Sequence, residues 1–226
     1  MNQEIPVEKL CQRYRKLYTG AIYDILEDKG LPNQLLSLEI KPLKADMKVA
    51  GPAYTVKGVR RPTADEWIGE QVDLLGGITP DCVVVYDPGN EHRSGHWGEL
   101  TSNAAAAKGC QGVVVDGGAR DSTKHLQIPN WSCFCRYTSP IEAGTRQKIV
   151  AVGKPIFMSG SLTTVVRVDP GDFIFGDLDG VLVVPKALAV EVLLKAEAKV
   201  AVEDQGREEI RKGADMREVR RKYRIG

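Results

Sequence analysis

Gly112-Val113-Val114-Val115-Asp116-Gly117-Gly118-Ala119-Arg120-Asp121 is the stretch that decides the fold. Three consecutive valines are what a strand buried on both faces needs, since neither face then accepts a polar side chain. Asp116-Gly117-Gly118 breaks that strand, because adjacent glycines permit backbone angles that a side chain forbids. Ser122-Thr123-Lys124-His125-Leu126 reads as the opening of a helix, with Asp121 or Ser122 as its N-cap. Arg120 and Asp121 thus stand just past the end of a buried strand, where open α/β sheets bind ligands. The pair also suits a plainer role, Asp121 as a cap and Arg120 as a solvated cation. The neighbouring segments separate the two.

Upstream, Cys82-Val83-Val84-Val85-Tyr86 repeats the buried-strand pattern and Asp87-Pro88-Gly89-Asn90 ends it. A loop runs to Gly98, and Glu99 to Lys108 is an Ala-rich helix stopped by Gly109. Downstream, the apolar run Trp131 to Cys135 supplies a third strand. Strand-helix-strand-helix-strand with short links implies parallel strands and right-handed crossovers. Loops 87–98 and 116–120 must then open at one carboxyl edge of the sheet, so residues about twenty apart in sequence face one cleft.

Towards the N-terminus, residues 7–18 carry apolar positions at helical spacing, and Thr19 looks like the N-cap of a second helix that stops at Gly30. Residues 31–46 read as a linker, and Val49 to Val59 as a strand interrupted by Gly51-Pro52. A helix over Ala64 to Leu75 places Trp67 in the core. Beyond Pro140 the pattern turns to short strands: Gln147 to Val152, Pro155 to Met158 and Thr163 to Val168. A hairpin follows, Phe173-Ile174-Phe175 and Val181 to Val184 around Gly176-Asp177-Leu178-Asp179-Gly180. Pro185 starts a long helix that Gly206 weakens near Gln205, and a basic helical tail ends the chain.

Composition narrows the function classes. In 226 residues, 42% hydrophobic and 27% charged content marks an ordinary globular protein with room for a core. A net charge of +1 gives no field toward nucleic acid or membrane, and the basic tail, lacking interleaved aromatics, reads as a solvated face. No apolar run reaches membrane-span length. The first residues lack a signal peptide's pattern, and five cysteines without a Cys-x-x-Cys suggest reduced thiols in cytoplasm. Cys133 and Cys135 share one strand face.

At the cleft, the helix N-terminus at Gly98-Glu99-Leu100-Thr101 offers unpaired N–H groups and a dipole that favour an anion. Arg120 presents a planar fork matched to a carboxylate. Asp121 supplies a hard oxygen ligand, with Glu99 a second one, direct or through water. Mg²⁺ or Mn²⁺ suits so few protein ligands. An anion cradle beside such an ion fits a 2-oxo acid substrate, whose enolate the ion stabilises when a carbon–carbon bond breaks. His92 and His96 have zinc-helix spacing, but the glycines around them argue for a loop. His125 reads as a helix-surface residue and Asp177 and Asp179 as turn residues. Gly-rich phosphate fingerprints, Ser-centred elbows and Cys–His signatures are absent.

Trp97-Gly98-Glu99-Leu100, Ala104-Ala105-Ala106 with Gly109, and the Gly112–Asp121 decapeptide together resemble the RraA-like family, which includes 4-hydroxy-4-methyl-2-oxoglutarate/4-carboxy-4-hydroxy-2-oxoadipate aldolases. Val49-Ala50-Gly51-Pro52-Ala53, Pro170-Gly171-Asp172 and Gly176 to Pro185 extend the likeness across residues 12 to 225. The resemblance implies an α/β chain with a swivelling β/β/α fold, parallel strand-helix units, a β-rich second half and a long C-terminal helix. It implies one domain over 1–226: N-terminal helices and linker (1–46), a β/β/α core (47–185) and a helical extension (186–226). It further implies trimers or dimers of trimers with sites between subunits.

By the same resemblance, Gly98 to Thr101 and Arg120 contact substrate, Asp121 ligates the metal, Glu99 holds water on it, and Glu203 comes from a neighbouring subunit. The activity implied is metal-dependent pyruvate aldolase, accompanied by oxaloacetate decarboxylase, since both reactions pass through pyruvate enolate. The alternative is a non-catalytic regulator of an RNA-degrading enzyme. Relatives of that kind resemble a shorter chain without the long C-terminal helix. The loop Glu91–His96 and Gly118-Ala119 depart from the family pattern and bear on the substrate.

Overall fold

A computed structural model describes residues 5–61 and 73–225. Helices α1 (Val7–Tyr14) and α2 (Thr19–Asp28) lead to strands β1 (Lys41–Pro42), β2 (Val49–Arg60), β3 (Val83–Asp87) and β4 (Gly95–Trp97). Then come α3 (Glu99–Ala107), β5 (Gly112–Val115), β6 (Gly118–Ala119), α4 (Ser122–His125), β7 (Ser132–Cys135) and β8 (Tyr137–Thr138). The second half holds β9 (Gln147–Val152), β10 (Ile156–Ser159), β11 (Val165–Val168), β12 (Phe173–Gly176), β13 (Val181–Val184), α5 (Ala189–Arg211) and α6 (Met216–Tyr223). This is an α/β fold with parallel strand-helix units, a β-rich second half and a long C-terminal helix. No described helix is long and apolar enough to cross a membrane.

The main sheet runs β1-β7-β5-β3-β2-β12-β13, with β9 also paired to β2. Its centre, β2-β3-β5-β7, is parallel. Alternation explains the unbroken valine runs. Val83, Val85 and Val114 fill one core with β10 and β11, while Val84, Tyr86, Val113 and Val115 fill another beneath α3. A third core joins α1, α2 and α5 to β12 and β13.

Each loop at the carboxyl edge contributes a further short strand. β4, β6 and β8, the segments following β3, β5 and β7, form a second parallel sheet of three. The reading of 87–98 and 116–120 as plain loops is corrected accordingly. So is the reason for the paired glycines. Neither Gly117 nor Gly118 has positive φ. They are needed for space, since a Cβ on Gly118 would stand 2.4 Å from both the Ser94 carbonyl and the Tyr137 ring, and one on Gly117 2.5 Å from His96 Nδ1.

Other expectations shift for local reasons. β2 runs through Gly51-Pro52 because both stay in register with β12. Thr19 is the first residue of α2 rather than its cap, its N–H and hydroxyl donating to the Asp177 carboxylate at 2.8 and 2.7 Å. Asp177 also accepts from Asp179 N–H, so it serves its hairpin turn as expected and α2 besides. The first helix stops at Tyr14, and α5 continues past Gly206 to Arg211. That glycine is where α6 packs back, and a Cβ there would meet Ile225 at 2.7 Å. The helix expected over Ala64 to Leu75, with Trp67, falls largely on 62–72, outside the described residues.

Candidate active site

The small sheet brings the two loops together. β6 pairs with β4 on one side and β8 on the other, and Arg120 N–H donates to the Trp97 carbonyl at 3.0 Å. Arg120 is thereby placed beside Gly98, the cap of α3. A Cβ at Gly98 would stand 3.2 Å from Arg120 Cγ and 3.2 Å from Asp121 Oδ2, so both side chains pass over the helix start. Arg120 Nε lies 3.3 Å from Asp121 Oδ2, and both side chains are part-exposed.

Asp121 has the expected cap position on α4, but its carboxylate makes no capping bond. Its backbone carbonyl accepts from Lys124 and His125 instead, at 2.8 and 3.1 Å. Asp121 adopts a left-handed conformation with φ 59°, sparsely populated outside glycine and a recurrent feature of ligand clamps. The turn leaves its carboxylate facing the cleft.

That cleft measures about 620 Å³, and Gly98, Leu100, Thr101, Arg120 and Asp121 all line it. Helix geometry leaves the N–H groups of Glu99, Leu100 and Thr101 without intrahelical carbonyls. Leu100 is 79% exposed at its rim. Glu99 accepts from Asn103 Nδ2 at 2.6 Å, one turn along. Arg61, Glu142 and Lys148 line the cleft too, and no pattern in the sequence marks them. Gln147 and Tyr86, both buried, line the cleft as well. Glu203 is not a lining residue in its own chain. It lies on α5, where Tyr18 Oη and Arg207 donate to it, the latter at 2.8 Å.

A buried polar network supports this arrangement. Ser102 Oγ accepts from Trp97 Nε1 at 2.8 Å, donates to the Gly98 carbonyl at 3.2 Å and lies 3.2 Å from His125 Nδ1. His125 is fully buried, which corrects its reading as a surface residue. Its helix of four residues presents it to α3 rather than to water. Burial lowers its pKa against the pull of the Arg120 carbonyl and Asp121.

The other histidines are not a zinc pair. His92 is exposed, while the His96 side chain is buried in β4 with Nε2 2.9 Å from Glu91 Oε2. Gly118 N–H donates to His96 Nδ1 at 3.1 Å, which puts the ring proton on Nε2, facing Glu91. Burial depresses the His96 pKa despite that carboxylate. Burial alone would raise Glu91, but the Ser94 and Arg93 groups and His96 outweigh it and hold its pKa below the ordinary value.

Among the described residues, no three His, Cys, Asp or Glu side chains gather as a metal cage. Asp121 is the carboxylate that lines the helix start, whereas Glu99 is not among the described lining residues and its carboxylate is held by Asn103. A single protein carboxylate there fits an ion that keeps most of its waters. Hard carboxylate oxygens suit Mg²⁺ or Mn²⁺ rather than a soft ion.

Comparison with known proteins agrees with the architecture. The family model described as RraA-like, Aldolase/RraA, matches residues 19–183. A Halalkalibacterium halodurans protein named "Putative 4-hydroxy-4-methyl-2-oxoglutarate aldolase" is 35% identical over 201 residues, covering 87% of this chain and 85% of that one. Protein DlpA of Legionella pneumophila is 28% identical over 95% of this chain, which spans only 34% of DlpA's length. Streptomyces coelicolor RraAS2, described as an unusual member of the RNase ES inhibitor RraA family, superposes with a TM-score of 0.77. It is 24% identical over 91% of this chain and all of its own, a likeness of fold. With three quarters of its length matched and this topology, the chain belongs to the RraA-like family.

Proposed function

We propose that this protein is a divalent-metal-dependent aldolase that cleaves a 4-hydroxy-2-oxo acid to pyruvate. The observation that carries the reading is Arg120 and Asp121 passing together over Gly98, at the mouth of one cleft. A substrate carboxylate would sit against the N–H groups of Leu100 and Thr101, with the Arg120 fork holding it in plane. Asp121, with Glu99 through water, would hold Mg²⁺ or Mn²⁺ beside the 2-oxo group. When bound, that ion supplies the positive charge that stabilises an enolate.

The C4 hydroxyl then loses its proton, the C3–C4 bond breaks, and C4 leaves as a carbonyl product. Delivery of a proton to C3 would complete pyruvate. Glu99 would position the water that carries these protons. Glu203, oriented by Tyr18 and Arg207, is proposed to act in a neighbouring copy's cleft, in a homotrimer or dimer of trimers. Oxaloacetate decarboxylation is expected as a second activity, since it yields the same enolate. The partners proposed are small 2-oxo acids, with no nucleic acid and no membrane, in cytoplasm.

A pyruvate-release assay over a panel of 4-hydroxy-2-oxo acids and oxaloacetate, with Mg²⁺, Mn²⁺ or chelator, tests this. Turnover of at least one acid that chelator abolishes is expected. Silence across the panel removes the aldolase reading and leaves the protein regulator of an RNA-degrading enzyme.

A further inference from the structure

A second cavity, of about 500 Å³, shares no described lining residue with the first. Arg15, Lys44, Asp46, Lys48 and Trp131 are among its walls. Its charge is one-sided. Among the described lining residues three cations stand against one carboxylate, and that carboxylate, Asp46, already accepts from Lys44 at 2.8 Å.

Two of its walls also carry shielded donors. Trp131 Nε1 and Arg15 Nε are both hidden from solvent and have no partner among the described residues. Trp131 is 4% exposed. An indole N–H and a guanidinium N–H can only donate, and a buried donor left unpaired is costly. Neighbouring groups fix the frame around them. Arg15 Nη2 donates to Gln111 Oε1, and Lys48 Nζ donates to the carbonyls of Arg15 and Leu17 at 3.2 and 2.6 Å. Donors in excess and positive charge in excess, held in a hydrogen-bonded frame, call for a ligand that brings acceptor oxygens and negative charge.

We propose that this cavity is a second binding site, for a small oxyanion such as a carboxylate or phosphate group. It stands apart from the aldolase reading and takes part in no step of that reaction.

The test uses the ¹⁵N-labelled full chain carrying Arg120→Ala, so that the first cleft does not compete. Sodium phosphate, sodium acetate and sodium chloride are titrated at matched ionic strength while the Trp131 indole N–H resonance is followed. That resonance is identified by its loss in Trp131→Phe. A saturable shift with phosphate or acetate, absent with chloride, is expected. Phosphate alone would assign a phosphate site, and acetate as well a carboxylate-competent one. Lys44→Glu, at an exposed rim position, should weaken that binding about tenfold without lowering the melting temperature. An indole that does not move, one that moves alike in all three salts, or an isotherm unchanged by Lys44→Glu would overturn the site.

Discussion

β3, β5 and β7 are held by side chains: every residue in them is buried, and alternate positions fill two separate cores. β4, β6 and β8, which follow them in the chain, have only two or three residues each. They are held by backbone pairing, by space left at Gly95 and Gly118, and by buried polar contacts through His96 and Ser102. The large sheet determines where the cleft is. The small sheet determines how Arg120 and Asp121 are aimed within it. Stability and activity should therefore respond differently to changes in the two.

The largest contrast is expected from Gly118→Val set against Val114→Ala. The new side chain at 118 has to displace the Ser94 carbonyl or the Tyr137 ring, which shifts the segment carrying Arg120. Pyruvate release should fall on the order of 100-fold, the usual cost of misplacing a reacting geometry by about 1 Å. Val114→Ala, wholly buried, should instead cost about 2 kcal/mol of stability while the folded protein keeps turnover within a few-fold. Denaturant unfolding and kinetics on both variants check this, and the reverse ranking would break the distinction.

Ser102→Ala comes next. It leaves Trp97 Nε1 and His125 Nδ1 without their shared partner, so urea unfolding should show a loss of roughly 1–3 kcal/mol. The pH dependence is smaller. His96 and His125 are both held below their ordinary value of 6.5 by burial, so the unfolded chain binds their protons more readily than the folded one. Their contribution is intact above 6.5 and is lost as pH falls through the depressed folded values. The melting temperature should drop from neutral pH toward about pH 5, and His96→Gln should flatten that drop. An identical profile in the variant would remove His96 from the account. Leu100→Ala should alter stability by no more than about 0.5 kcal/mol, because that side chain is already in water.

The long elements were legible because burial on both faces or on one stripe leaves a pattern in sequence. Val113 to Val115, the Glu99 helix and the β12–β13 hairpin are examples. Strands of two or three residues leave no period to read, so β4, β6 and β8 looked like loops. His125 misled because its helix is too short to show which side is buried. Gly51, Gly118 and Gly206 answer to neighbours distant in sequence, a constraint that no local rule contains. Within the cleft, Arg120, Asp121 and the Gly98 turn could be placed together from topology alone. Arg61 and Lys148 could not, since they arrive just past β2's far end and on β9, whose antiparallel pairing only the folded chain reveals.

The most direct test compares pyruvate release by the unaltered chain, Asp121→Ala and Arg120→Ala at saturating divalent ion. Asp121→Ala should lose turnover even at that saturating ion, on the order of 1000-fold. Arg120→Ala should lose mainly substrate engagement, seen as a raised KM. Full activity in both variants would contradict the assignment of this cleft.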